Sequence, residues 1–232
     1  MPPITVMPFE RLELQYTKNS WPFAEGRRPE IDAHFALLSR ANPNLWNGRA
    51  LLLHRFAAEG AVFRGAYLET DYASFLAWRD WDFPDASMHN CFGLAALRAS
   101  DGAFLVGVMG AHTASAGSVY FVGGTPDPED IVGDAVDLGG NVLRELREET
   151  GLTAADVTEE PGWHAVFAGP RIAMLKVLDV PLPAVALRER ILGFLSRETK
   201  PELADMRIVR GPADLDPMMP AFMPAFLLHA WG

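Results

Sequence analysis

Residues 144–152 run Arg-Glu-Leu-Arg-Glu-Glu-Thr-Gly-Leu, and an α-helix turning by about 100° per residue puts their acids on one side. Glu149 falls about 40° from Glu145, and Glu148 about 60° from it in the other direction. Val142, Leu143, Leu146 and Thr150 take the neighbouring arc, which packs against a sheet and sets the direction of the acidic one. Three acids in the last two turns oppose the helix dipole, and like charges at i,i+4 repel by about a few tenths of a kcal/mol. Local stability does not select this arrangement. A hard divalent cation removes the conflict, because Mg2+ prefers carboxylate and water oxygens and shares its other positions with substrate phosphates. The same spacing also describes a solvated helix face on which Arg144 and Arg147 offset part of the charge. Charge pattern alone leaves both readings open.

The rest of the chain narrows the context. With 20 Lys+Arg against 30 Asp+Glu and a net charge of −10 over 232 residues, a nucleic-acid polymer is a poor partner, since such binding depends on neutralising phosphates with cations. Hydrophobic residues at 49% supply a core and argue against disorder. Cys91 is the single cysteine, so an intrachain disulfide and a Cys-x-x-Cys metal site are excluded; it reads as a small core residue. The opening MPPITVMPFERLEL has no basic segment followed by an apolar run, and AFLVGVMGA at 103–111 falls short of a membrane span. The expected setting is the cytoplasm, with no membrane partner.

Two textures divide the chain. Residues 1–90 are punctuated by Pro, Asn and Gly and read as a small α+β extension: helices over 31–39 and 72–81, strands over 50–56 and 61–68. Residues 91–232 read as the main domain. Strands are expected over 91–97 and 103–110, joined by a hairpin turn at Ala99-Ser100-Asp101-Gly102, and over 118–122. A loop over 125–137 follows, then a helix capped by Asp137 and stopped by Gly151. Strands over 162–168, 171–180 and 206–210, a helix over 183–197 and a last apolar helix after Pro220 complete a mixed β-sheet between helices. The expected fold class is therefore α+β, an α/β/α sandwich. Gly139 and Gly140 weaken the start of the acidic helix by about 1 kcal/mol each relative to Ala. The last helix, Pro220 to Trp231, either caps the core or forms a homodimer contact.

Gly123-Gly124 after a strand, an acidic loop, then Arg144-Glu145-Leu-x-Glu148-Glu149-x-Gly151-Leu152 closely resembles the signature of the Nudix hydrolases, which ends in REUxEExGU with U aliphatic. The resemblance covers roughly 91–232, with its specificity concentrated in 123–152. It implies a Nudix-type mixed sheet between helices, hydrolysis of a diphosphate linked to another group, and Mg2+ or Mn2+ as cofactor. It further implies Glu145, Glu148 and Glu149 as metal ligands and Arg144 as the residue that braces them. One of these glutamates, or an acid from elsewhere, would deprotonate the attacking water. The front half of the signature departs: Val136 stands where a Glu is expected, and the loop from Gly124 carries six extra residues. Glu129, Asp130, Asp134 and Asp137 are the candidates to supply that carboxylate, with Asp137 read first as a helix cap.

A looser second resemblance concerns 42–80 in broken pieces. Asn42-Pro43-Asn44-Leu45-Trp46-Asn47-Gly48, the Leu51-Leu52-Leu53 strand and Leu68-Glu69-Thr70-Asp71-Tyr72-Ala73-Ser74-Phe75 look like the extension of a Nudix subgroup acting on nucleoside diphosphate sugars such as UDP-glucose. It implies a nucleoside monophosphate and a sugar 1-phosphate as products. Alternatives are another Nudix substrate, such as an ADP-linked compound or a coenzyme A derivative, and a non-catalytic nucleotide-binding module. Candidate substrate contacts are Gly123, Gly124, Tyr120, Phe121 and Arg171: the aromatic rings to stack on a base, the arginine to meet a phosphate; for Tyr120, Phe121 and Arg171 a structural packing role is the reading placed ahead of ligand contact. Trp46 is read as a core anchor ahead of direct ligand contact, and Trp78 and Trp81 as packed in the core. His112 and His164 are at most polar contacts. Ser115 and Ser118 have no serine-hydrolase elbow, and neither a P-loop nor GxGxxG is present.

Overall fold

A computed structural model describes residues 3–232. The first two residues of the 1–90 block lie outside the described residues. In chain order the elements are β1 (Thr5–Phe9), β2 (Arg11–Tyr16), α1 (Pro22–Gly26), α2 (Arg28–Ala41), β3 (Arg49–Glu59), β4 (Val62–Asp71) and α3 (Tyr72–Asp80). Then come β5 (Asn90–Ala99), β6 (Phe104–Met109), β7 (Val119–Tyr120), β8 (Ile131–Val132), β9 (Ala135–Val136) and α4 (Leu138–Thr150). The last are β10 (Thr158–Glu159), β11 (Trp163–Ala168), β12 (Arg171–Val180), α5 (Ala184–Leu195), β13 (Leu203–Val209) and α6 (Phe222–Trp231).

Alternation along the strands explains the layering. Ala95, Leu97 and Ala99 of β5 face Val142 and Leu146 of α4 and Leu187 and Ile191 of α5. Phe92, Leu94 and Ala96 face Phe222, Met223, Phe226 and Leu227 of α6. One sheet thus lies between helices, as expected of an α/β/α sandwich. It is eight-stranded, ordered β1-β11-β12-β5-β6-β13 with β10 and β7 appended, and mixed because β12 and β5 run parallel. The last helix buries its apolar side in this core. No helix among the described residues is long and apolar enough to cross a membrane.

A second sheet of five strands, ordered β3-β4-β2-β9-β8, packs through Leu51, Leu53, Phe63 and Tyr67 against Cys91, Ile172 and Met174 of the first. Cys91 is fully buried and its thiol is pushed up to about 12, in keeping with a core residue. Strands cross the boundary expected at residue 90 in both directions. β1 pairs with β11 in the first sheet, and the β8–β9 hairpin pairs with β2 in the second.

Three sequence expectations are corrected. The segment 125–137 is a 3-10 turn (Pro128–Asp130) and a hairpin, not simply a loop. Phe121 is 0% exposed, edge-on to Phe104 and Phe226, so it belongs to the core and not to a ligand surface. Trp46 is 79% exposed, because its ring lies over Gly48 on the rim of a cavity and no core element covers it. Trp78, by contrast, is fully buried.

Candidate active site

The start of α4 shows why a poor helix-former sits there. Asp137 accepts a hydrogen bond from the Gly140 N–H at 2.9 Å, and a Cβ on Gly140 would fall 2.5 Å from Asp137 Oδ2. A side chain at position 140 would press on the capping carboxylate in this geometry, and glycine leaves the cap undisturbed. At the far end Gly151 closes the helix at φ 71°. With Val142 and Leu146 held under β5, the acidic arc turns toward Gly123 and Gly124.

Both glycines are needed for the approach. Gly123 has φ 140°, and a Cβ there would lie 2.2 Å from the Gly93 carbonyl oxygen. A Cβ on Gly124 would lie 3.2 Å from Glu145 Oε1. The backbone can thus lie close against the glutamates only where it has no side chains.

The three signature glutamates do not share one environment. Glu149 is 5% exposed, and its Oε2 is buried without a hydrogen-bond partner. Burial pushes its carboxyl well above the usual carboxylate range, and the carboxylates of Glu145 and Glu202 add to this against the opposing Gly123 N–H. Glu145 is mostly buried; burial raises it to about 7, with Arg144 opposing and Glu148 and Glu202 reinforcing. Glu148 is half-exposed, 3.4 Å from Arg144, and outside the cavity wall.

Glu202, just before β13, joins Glu145 and Glu149 in that wall. Nothing in its surroundings, Thr-Lys-Pro-Glu-Leu, marks it in sequence; the β6–β13 pairing and the Gly110 N–H bond to the Glu202 carbonyl (2.7 Å) bring it across.

Arg144 sits amid acids. It lies 3.1 Å from Asp130 and from Glu145, 3.4 Å from Glu148 and 3.6 Å from Asp127. Asp130 is itself buried and accepts from Asn141 Nδ2 and the Asp127 N–H, each at 2.9 Å. Of the four candidate acids in the longer loop, Asp130 is the one that reaches Arg144, where Asp127, a fifth acid of the loop, joins it; Asp137 caps α4, and Glu129 and Asp134 are exposed. Val136 is buried in the contact between the sheets. The extra residues fold so that an acid returns to α4 from a different backbone position.

These groups open onto a cavity of about 700 Å3, in the range of small-ligand sites. Both halves of the chain line it. The first contributes Asn42, Trp46, Arg49, Tyr72, Arg79, Phe83 and Asn90; the second contributes Tyr120, Gly123, Gly124, Arg171 and the three acids Glu145, Glu149 and Glu202. Tyr120 and Arg171, candidate substrate contacts in the sequence, both line this cavity. Burial, and then Glu149, raise the Tyr120 phenol. His112, Ser115 and Ser118 also line the cavity, whereas His164 packs against Phe226 and His229.

Among the described residues no group of three or more His, Cys, Asp or Glu side chains is already arranged to hold a metal ion. The donor chemistry nevertheless fits Mg2+ or Mn2+: hard carboxylate oxygens, a buried Oε2 without a partner, and negative charge in excess of the one nearby arginine.

No family model and no curated protein matches the chain. Solved structures resemble part of it. A Nudix hydrolase from M. smegmatis, RenU, shares 18% identity over 61% of this chain and 82% of its own, with a TM-score of 0.39. The MutT protein from Methanosarcina mazei Go1 shares 19% over 61% and 92%, TM-score 0.39. The Bacillus subtilis pyrophosphohydrolase BsRppH shares 14% over 65% and 84%, TM-score 0.37.

Proposed function

We propose that the chain is a Nudix-type, metal-dependent hydrolase of a nucleoside diphosphate linked to another moiety, with a nucleotide sugar such as UDP-glucose as substrate. The observation that carries this reading is the pair of buried carboxylates, Glu145 and Glu149, set against Gly123-Gly124 in the wall of a nucleotide-sized cavity and lacking enough positive charge of their own. Glu145 and Glu149 would hold the cation, with Glu148 nearest the outside. A bound Mg2+ or Mn2+ would screen phosphate oxygens and lower the pKa of water.

The chain's own groups then have separable tasks. Arg144, fixed by Asp130, keeps Glu145 in place. Glu202 faces Glu149 across the wall and is the acid placed to take a proton from attacking water. The glycines leave room for a diphosphate beside the glutamates. No covalent nucleophile is needed, and Cys91 is too buried to act as one. The rings of Trp46 and Tyr120 offer faces for a base. The partner is thus a small phosphorylated nucleotide, and the cytoplasm the compartment in which it would be met.

Release of monophosphate from a panel of UDP-glucose, ADP-ribose and coenzyme A, with and without Mg2+, tests the reading. UMP and glucose 1-phosphate are the expected products. Turnover of another compound with none of UDP-sugars removes the substrate choice, and no turnover of any compound removes catalysis. A binding module without turnover is the second reading. Its one support was the Val136 departure, and Asp130 weakens it by bracing Arg144 from elsewhere.

A further inference from the structure

The cavity has a second charged region that the hydrolytic reading does not use. Arg171 opens β12 opposite Asn90. Its guanidinium lies over the Phe83 ring, 5.2 Å from the centroid. It forms no salt bridge among the described residues, and the charge that bears on it is another cation, Arg79. Arg79 is the last-turn arginine of α3, anchored to Asp80 at 2.8 Å. Two guanidiniums in the wall of one cavity, one of them without a counter-ion, are unfavourable in a half-buried place. Asn90 adds polarity of the same sense: its Oδ1 is engaged by Thr125 Oγ1 at 3.0 Å, which leaves amide N–H donors.

A separate observation points the same way. Asp82 and Phe83 both have positive φ, 60° and 57°, a left-handed conformation that is strained for a residue with a side chain. The Phe83 N–H bonds to the Trp78 carbonyl at 2.8 Å, and its ring meets Trp78 edge-on at 4.7 Å. The strained corner is therefore held by the core and presents its ring to Arg171, fixing a long, otherwise mobile side chain. Arg171 lies on β12 across from the first residue of β5, whereas Glu145 lies against Gly124, whose carbonyl accepts from the Gly93 N–H three residues or about 10 Å further along β5. The cationic and acidic regions are thus distinct parts of one cavity.

We propose that Arg171, seated on Phe83 beside Arg79 and Asn90, is a phosphoryl-binding subsite that works without the metal. Two guanidiniums in one wall match the several oxygens of a phosphoryl group, singly charged within a diphosphate diester and up to doubly charged as a phosphomonoester, better than a single carboxylate. That group is either the diphosphate's phosphoryl remote from the glutamates or an additional phosphomonoester on the ligand. The proposal rests on the reading of the cavity as a nucleotide site, and it makes the cavity bipolar.

Thermal shift in EDTA separates this from catalysis, because nothing turns over. Inorganic phosphate, compared with chloride at equal ionic strength, raises the Tm of the wild type, and Arg171→Met weakens phosphate binding about ten- to a hundredfold. Arg171→Lys, which keeps the charge and the fold, gives an intermediate affinity. An absent response in the wild type, or equal responses in all three proteins, overturns the subsite. UDP-glucose and coenzyme A in EDTA distinguish the sources: loss of both in Arg171→Met assigns the diphosphate, and loss of coenzyme A alone assigns the additional phosphomonoester. If the hydrolysis panel fails while phosphate binding persists, the catalytic reading falls and the subsite stands.

Discussion

Arg98 and the glutamates of α4 sit at opposite ends of β5's neighbourhood and treat charge in opposite ways. The Arg98 guanidinium bonds both oxygens of Asp179, at 2.6 and 2.8 Å, and Glu160 at 2.6 Å, so its charge is answered. Glu145, Glu149 and Glu202 crowd one cavity wall, and Arg144, the cation beside them, is divided among four carboxylates. Both clusters hold more acid than base, but both acids at Arg98 are hydrogen-bonded to its guanidinium, whereas the cavity wall keeps a surplus that includes the buried, partnerless Oε2 of Glu149. The difference shows that a surplus after pairing, rather than the number of charged residues, marks a place built for something that arrives from outside.

Removing the surplus is the sharpest way to break this contrast. Glu149→Gln is expected to lower turnover on the order of 10³-fold at saturating Mg2+, while raising the metal-free Tm because a buried, unmatched acid is gone. Retained turnover in this variant would place the metal elsewhere.

Titration sharpens the same point. Glu145 and Glu149 both lie above their ordinary value in the folded chain, so between that value and the raised one the folded state holds more protons than the unfolded state. Stability of the metal-free protein therefore falls as pH rises from about 4.5 through about 7, by a few kcal/mol. Mn2+ added at pH 8 should restore the Tm. Denaturation curves across pH with EDTA or Mn2+ check both halves of the statement.

Arg98→Met converts the satisfied cluster into an unsatisfied one. It should cost about 1–2 kcal/mol in chemical denaturation, discounted for the partial exposure of the group, and leave turnover unchanged. The smallest stability effect is expected at Trp46→Ala, within about 0.5 kcal/mol because the ring is on the surface; its mark would be a raised KM for nucleotide with kcat retained.

Much of this is legible in the sequence. Helical spacing located α4, its cap at Asp137 and its stop at Gly151, and the signature picked out Glu145 and Glu149 as well as the glycines opposite. The paired strands at 50–56 and 61–68, and the hairpin turn before Phe104, followed from alternation and turn chemistry. The strict alternation Arg11-Leu-Glu-Leu-Gln-Tyr16 also marks β2, a signal that could have been used. What stayed hidden depends on pairings between distant segments. Which of four loop acids meets Arg144 is decided by the β8–β9 hairpin joining another sheet, and Glu202 reaches the wall only through the β6–β13 pairing. Trp46 misled because a large ring usually finds a core; here the turn that carries it has none beneath. Phe121 misled in the reverse sense, since alternation sends it to the face opposite the cavity-lining Tyr120.

The crossing strands have a kinetic consequence. Thr5 pairs with Phe167, and Gln15 with Ala135, so β1, and one edge of β2 whose other edge pairs with β4, are synthesised well before these partners. Such distant pairings close large loops and slow folding, and until they form each half carries an open strand edge that another chain can occupy. The cavity, walled by both halves, is therefore among the last features of the molecule to form, and a nascent chain interrupted before β11 has no means of completing it.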